Sequence, residues 1–389
     1  MGATSLCAVA CAAALAAMPP PADAAAKDMT YGSRLGSHSM LYLNHTAVQS
    51  EALIRASSEA GLRYLRMDFA VGIVFRWGRT DFSAVERVNA LADRYRMRVV
   101  GTITDTPWFI AACPAGRSDH PGRCAPAPQH ERTWRDMVTQ IVRHAPNIRH
   151  WELGNEPDIE FGFVGTPSDY ARWATLAAEG VREAQSSATI VVGGFSRLDA
   201  TYIDAVLHDA ANPLIEHIDV ANVHLRGRLR GLPHAVHRAR AFYRRAGFPG
   251  PLWVTETGYP SLAAHQREPR MKGGPPDQAR WIACGARSMV HAGARAVFIA
   301  FRDSPEFSPD SPFASEGVVR WPKLSADGRP HLKPAFRALK ALAAVELPAR
   351  GAARDRGLGS RHACSATART AQAPRRKLPC ACGRRRLGR

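Results

Sequence analysis

Between residues 31 and 345, short β-branched runs alternate about eight times with longer amphipathic stretches. Strands separated by helices pair in parallel, with the helices packed outside the sheet. Strand candidates begin near Tyr31, Tyr64, Arg98, Ile148, Thr189, Ile218, Leu252 and Ala296. Helices are expected over Ser83–Tyr95, Pro167–Ala184, Asp199–Ala210, Pro233–Ala246, Asp277–Ala292 and Pro334–Val345. Ser83 with Glu86 reads as a capping box, and Ser168 as the N-cap of the second helix. Eight such units fit a single (β/α)₈ barrel, a fold of about 250 residues plus insertions. The rival, an open doubly wound sheet, usually carries a glycine-rich phosphate turn after its first strand. Gly32 and Gly36 in YGSRLGSHS do not make that fingerprint, and no GxxxxGK[ST] or HExxH is present.

The two ends differ from this middle. Residues 1–26 are alanine-rich, apolar from Leu6 to Met18, with a small-x-small pattern near Ala24. They read as a secretory signal, although Lys and Arg are missing near Met1. The barrel domain is placed at 27–348, and 349–389 as a basic low-complexity tail. From Arg350 onward there are twelve Lys or Arg against one acid, Asp355, without apolar periodicity. Such a segment cannot bury enough surface to fold alone. It reads as a solvated tail, a polyanion-binding arm or a mistranslated end. Much of the formal charge of +18 therefore sits outside the barrel, and no nucleic-acid partner is expected. No apolar run approaches the roughly 20 residues of a membrane span. Cys113 and Cys124 bracket a loop of turn residues, CPAGRSDHPGRC, and are expected to bond in an oxidising compartment. No metal-ligand spacing stands out, and no cofactor is expected.

Two glutamates end strands. The fourth strand reads IRHWELGNEPD, and the seventh reads LWVTETGYP. In a barrel the strand C-termini form the active-site mouth. Glu156 and Glu256 delivered there suit glycoside hydrolysis, in which one acid protonates the leaving oxygen and the other attacks the anomeric carbon. Glu152 shares strand parity with Glu156, so two readings of Arg66 stand side by side: a structural partner of an inward-pointing Glu152, or a residue of the site. Trp151 and Trp253, on the opposite parity, are expected beneath the helices.

WELGNEPD and VTETGYP resemble the acid/base and nucleophile motifs of glycoside hydrolase clan A, the retaining (β/α)₈ glycosidases. The wording is most similar to family thirty-nine and its bacterial relatives. AGLRYLRMDF, TITDTPWF, VVGGFS and HLKPAFRALKAL resemble further parts of that barrel, so the likeness covers most of residues 30–345. It implies Glu156 as acid/base and Glu256 as nucleophile, acting on an oligo- or polysaccharide by double displacement. Asn155 would bond the sugar 2-hydroxyl, Arg66 would sit near Glu256, and His224 would line the pocket. Trp108 and Phe301 are candidate stacking platforms. Two departures stand out. Many clan members place tyrosine two residues after the strand-six histidine, where this chain has Arg226, leaving Tyr259 as a substitute. Many end strand eight with tryptophan, where this chain has Phe301 or Arg302. The alternative is a non-catalytic glycan- or polyanion-binding protein on the same scaffold.

Overall fold

A computed structural model describes residues 30–39, 43, 45–117, 120–265, 268, 271 and 273–348. The leader-like segment 1–26 and the basic tail 349–389 lie outside the described residues. The barrel strands are β1 (Leu35–His38), β2 (Tyr64–Ala70), β3 (Arg98–Thr104), β4 (His150–Asn155), β5 (Thr189–Gly194), β6 (Ala221–His224), β7 (Leu252–Thr257) and β8 (Ala296–Ala300). The helices between and after them are α1 (Ala47–Glu59), α2 (Ser83–Arg94), α3 (Glu131–Arg143), α4 (Pro167–Ala184), α5 (Ala200–Leu207), α6 (Leu232–Arg245), α7 (Pro275–His291) and α8 (Pro334–Ala343). The eight strands run in parallel in the order β5-β4-β3-β2-β1-β8-β7-β6. The two end strands meet through bridges Val191–Val220 and Phe195–Val223, which close the sheet on itself. This is the (β/α)₈ barrel expected from the alternation.

The strand faces separate two cores. Phe69, Trp151, Ile299 and Phe301 point outward into the layer shared with the helices. Tyr64, Val100, Val191, Val220, Trp253, Ala296 and Phe298 form a separate cluster from strands all round the sheet, so they fill the barrel floor. Gly36 on β1 makes room for it. A Cβ there would lie 2.5 Å from the Phe298 ring and 2.9 Å from Tyr64 Cβ. Trp253 therefore faces the interior rather than the helices. The reason is a register shift in β7 between Val254 and Glu256, which resets strand parity and turns Thr255 and Glu256 to the same side as Trp253.

Helix ends differ in detail from expectation. Helix α4 is capped by Thr166, in a reciprocal box with Asp169, and Pro167 occupies the first turn. Ser83 does not cap α2; its own N–H donates to Asp81 Oδ1 at 3.0 Å. Helices α1 and α3 were not singled out by the sequence pattern, although α3 buries Trp134, Val138, Ile141 and Val142 on one face. Cys113 and Cys124 are disulfide-bonded across the loop after β3. No described helix is long and apolar enough to cross a membrane.

The tight floor yields a stability prediction. Gly36→Ala overpacks it and is expected to cost about 1–3 kcal/mol, read as a lower urea midpoint at unchanged slope. An unshifted midpoint would contradict this packing.

Candidate active site

Above the floor the interior turns polar. Arg66 on β2 and Glu152 on β4 are both fully buried and pair in two-pronged fashion, Nε to Oε2 at 2.7 Å and Nη2 to Oε1 at 2.9 Å. Glu152 also accepts from Asn222 Nδ2 at 3.0 Å. Arg66 uses its remaining donors on the mouth side. Its Nη2 donates to Asn155 Oδ1 and its Nη1 to His38 Nδ1, at 2.9 and 2.8 Å. A guanidinium only donates, so His38 Nδ1 accepts and its Nε2 carries the hydrogen. That Nε2 lies 3.2 Å from Glu256 Oε2. The same logic turns the Asn155 amide: its oxygen faces Arg66, so its NH₂ faces the cavity.

Glu156 and Glu256 come together here, as the sequence suggested. Single ligating atoms of Glu156, His224 and Glu256 all lie within 4.8 Å of one another. His224 Nδ1 is 2.9 Å from Glu156 Oε1 and 3.7 Å from Glu256 Oε2. Glu156 follows a kink in β4. Gly154 has φ +82° and Glu156 itself has φ +46°, a left-handed conformation uncommon for a residue with a Cβ. The kink turns consecutive residues 155 and 156 toward the mouth, which strict alternation does not allow. Gly194 on β5 leaves space for the imidazole; a Cβ there would lie 2.0 Å from His224 Nε2.

The hydrogen bonds also locate a proton. Thr255 Oγ1 sits 3.0 Å from Asn222 Oδ1 and 3.1 Å from Glu152 Oε1, both acceptors. Its only hydrogen goes to one of them, so toward His224 Nε2, at 3.2 Å, Thr255 accepts. His224 Nε2 therefore carries a hydrogen. On its other side His224 Nδ1 is hydrogen-bonded to Glu156 Oε1.

Glu256 sits among cations. Burial opposes its ionisation, but His38, Arg226, His224 and Arg66 outweigh burial and hold the carboxyl well below its usual range. His38 is itself pushed well below its ordinary value, chiefly by burial, so near neutral pH it is uncharged. The guanidiniums carry the charge. Arg226 Nη2 bonds Glu256 Oε1, and Arg66 Nη1 lies 3.7 Å from Oε2. Arg226 is anchored in turn by Glu316 Oε2 at 3.1 Å and lies over the Phe313 ring at 4.6 Å.

Not every expected residue joins this cluster. Phe301 points outward on β8 and packs on Phe336 of α8, centroids 6.1 Å apart. Tyr259 is buried and stacks on Trp281 of α7 at 5.1 Å, and the nucleophile-side contact expected of it is made by Arg226. Trp108 is exposed and lines a different cavity. Sequence reasoning missed His38, which ends β1, and Asp68, two residues before the end of β2; Asp68 shares parity with Arg66, and that was its signal. Glu316 had none.

No protein-family model and no curated protein matches the sequence. Solved structures do match the fold. A family 39 glycoside hydrolase from Bacteroides cellulosilyticus aligns over 82% of this chain and 64% of its own, at 16% identity and TM-score 0.60. An exo-β-1,4-mannosidase from an Opitutaceae bacterium aligns over 80% and 59%, at 18% identity and TM-score 0.53. A family 30 endoxylanase from Clostridium papyrosolvens aligns over 80% and 71%, at 14% identity and TM-score 0.55. The chain thus spans about 64% of the length of the family 39 protein. The likeness to clan A glycosidases anticipated from the two glutamate motifs holds at the level of the fold.

Asp68 offers a test of these electrostatics. Burial pushes it up to about 6, with Glu152 and Glu256 adding to the rise and Arg66 and Arg302 opposing it. A raised carboxyl contributes stability at low pH that is lost as pH climbs through its folded value. Asp68→Asn removes that loss, so its urea midpoint is expected to gain on the parent's between about pH 4 and pH 7. A constant difference would place Asp68 outside this field.

Proposed function

We propose that the chain is a retaining glycoside hydrolase, with Glu156 as acid/base and Glu256 as nucleophile. The observation that carries the reading is that a carboxyl oxygen of Glu156 and one of Glu256 lie within 4.8 Å of each other at the strand ends. A retaining pair stands about 5–5.5 Å apart, whereas an inverting pair needs about 6.5–9.5 Å to admit water. The ionised setting of Glu256 supports its assignment as the nucleophile. Glu256, held ionised, attacks the anomeric carbon. Glu156, hydrogen-bonded to His224, donates a proton to the departing glycosidic oxygen. The product is a glycosyl ester on Glu256. Glu156, now unprotonated, takes a proton from water as that water attacks the same carbon and releases Glu256. On this reading the Asn155 NH₂ bonds a sugar hydroxyl, supported by its oxygen being taken by Arg66. The substrate class is an oligo- or polysaccharide. Export from the cytoplasm is part of this proposal, supported by the Cys113–Cys124 bond.

Glu256→Ala is expected to lower turnover of an activated aryl glycoside by about 10³-fold or more. Azide should restore it, giving a glycosyl azide of inverted configuration, while NMR of the parent reaction shows the first product with its configuration retained. Unchanged turnover in the variant, or an inverted first product, would refute the assignment.

Arg226→Met tests the charge on the nucleophile. Removing a cation raises the proton affinity of Glu256, so the acid limb of kcat/KM should move to higher pH, with Arg226→Lys falling between. An unmoved limb would show that Arg226 does not set the ionisation of Glu256.

A further inference from the structure

Six large apolar side chains are prominently exposed among the described residues, and three of them are aromatic: Trp77, Trp108 and Phe161. Their positions are not scattered. Trp77 tops the small hairpin Phe75–Arg76/Arg79–Thr80 after β2, Trp108 lies in the loop after β3, and Phe161 in the loop after β4. All three therefore stand at the mouth, on the side of Glu156, on neighbouring units of the barrel. Trp77 is 73% and Trp108 62% exposed, yet their rings lie 5.8 Å apart at 33°, a nearly continuous indole surface. Phe109 supports both from below, edge-on at 5.5 and 5.8 Å.

This surface borders the strand ends beside Glu156. Trp108 lines a cavity of about 350 Å³ together with Asp105, Thr106, His120, Gly122 and Arg123. Asp105 and Gly122 also line the cavity at Gly154, Asn155 and Pro157, so the two spaces share a wall. The loop carrying Trp108 is fixed at both ends. Thr106 N–H donates to Gly122 O at 2.9 Å, Ala112 N–H to Ala125 O at 2.8 Å, and the Cys113–Cys124 bond closes it. A platform held this way loses little freedom on binding. Exposed tryptophans beside a polar-lined cavity suit a ligand with an apolar face and a hydroxylated edge. A pyranose ring has both.

We propose that Trp77 and Trp108 form an outer sugar-binding platform, with Asp105 and its neighbours on the hydroxyl side, that selects glycans several residues long over short glycosides. The proposal rests on the assignment of Glu156 and Glu256 above. Its test has two arms, so that failure of one reading is distinct from failure of the other. In the binding arm, Glu256→Ala protein is run through native gels holding xylan, galactan, mannan or a uronic-acid polysaccharide. At least one should retard it, and adding Trp77→Ala or Trp108→Ala should weaken that retardation about tenfold, a loss of about 1.4 kcal/mol. In the kinetic arm, the same tryptophan changes in the active chain should lower kcat/KM on the retarding polysaccharide about tenfold more than on an aryl glycoside. Retardation by none of these polymers, or equal retardation of parent and variants, overturns the platform. Equal losses on long and short substrates overturn it too. Tryptophan-dependent retardation without hydrolysis of any substrate would uphold the platform and overturn the catalytic assignment instead.

Discussion

The Arg66–Glu152 pair sits at the centre of the barrel, and the geometry of the site depends on it. Taking two charges out of water is costly, and such a pair is tolerated only when its remaining donors and acceptors are met. Here they are met by five strands. Glu152 from β4 accepts from Arg66 on β2, Asn222 on β6 and Thr255 on β7, and Arg66 reaches back to His38 on β1. Removing either partner would strand a buried charge, at a cost of about 3–5 kcal/mol. Each group that faces the cavity is oriented from below by this layer: Asn155 and His38 by Arg66, His224 through Thr255. An apolar plug of equal volume would fill the barrel but would leave those tautomers and amide directions unset.

The same layer explains why carboxyl groups in one cavity behave differently. Glu256 and Asp68 are both deeply buried, and burial alone raises both. Glu256 has Arg226 on one oxygen and Arg66 near the other. Asp68 feels Arg66 as well, but that guanidinium is already matched by Glu152, which with Glu256 pushes Asp68 further up. Partner availability rather than depth decides the charge state of each.

Much of this was legible before any coordinates, for identifiable reasons. Glycine and proline mark where β4 and β7 stop, so Glu156 and Glu256 could be placed at the mouth from IRHWELGNEPD and LWVTETGYP alone. Parity also put Glu152 inside and Trp151 outside. It failed where the backbone departs from a two-residue period. The shift in β7 brought Trp253 inward, and the left-handed turn at Gly154 and Glu156 brought Asn155 inward beside Glu156. Phe301 is a different kind of miss. Ala296 and Phe298 on β8 face the floor, so strict alternation already sent Phe301 out toward α8, and family likeness outweighed it. Glu316 was beyond reach of any local pattern. It lies ninety residues from Arg226 and outside the eight strands, and only the fold brings the two together.

That distant pairing bears on how Arg226 serves where a tyrosine was expected. A phenol donates one neutral hydrogen bond, whereas a guanidinium brings a full charge that, left alone with Glu256, would hold the carboxylate too well for it to attack. Glu316 divides that charge. Arg226 presents Nη2 to Glu256 and Nε to Glu316, and its plane is fixed against Phe313. On the proposed chemistry the negative charge of Glu256 disappears when it becomes an ester. Arg226 then remains matched by Glu316, and Arg66 by Glu152. The arrangement keeps Glu256 ionised while sharing Arg226 with Glu316, which suits the nucleophile role proposed for it.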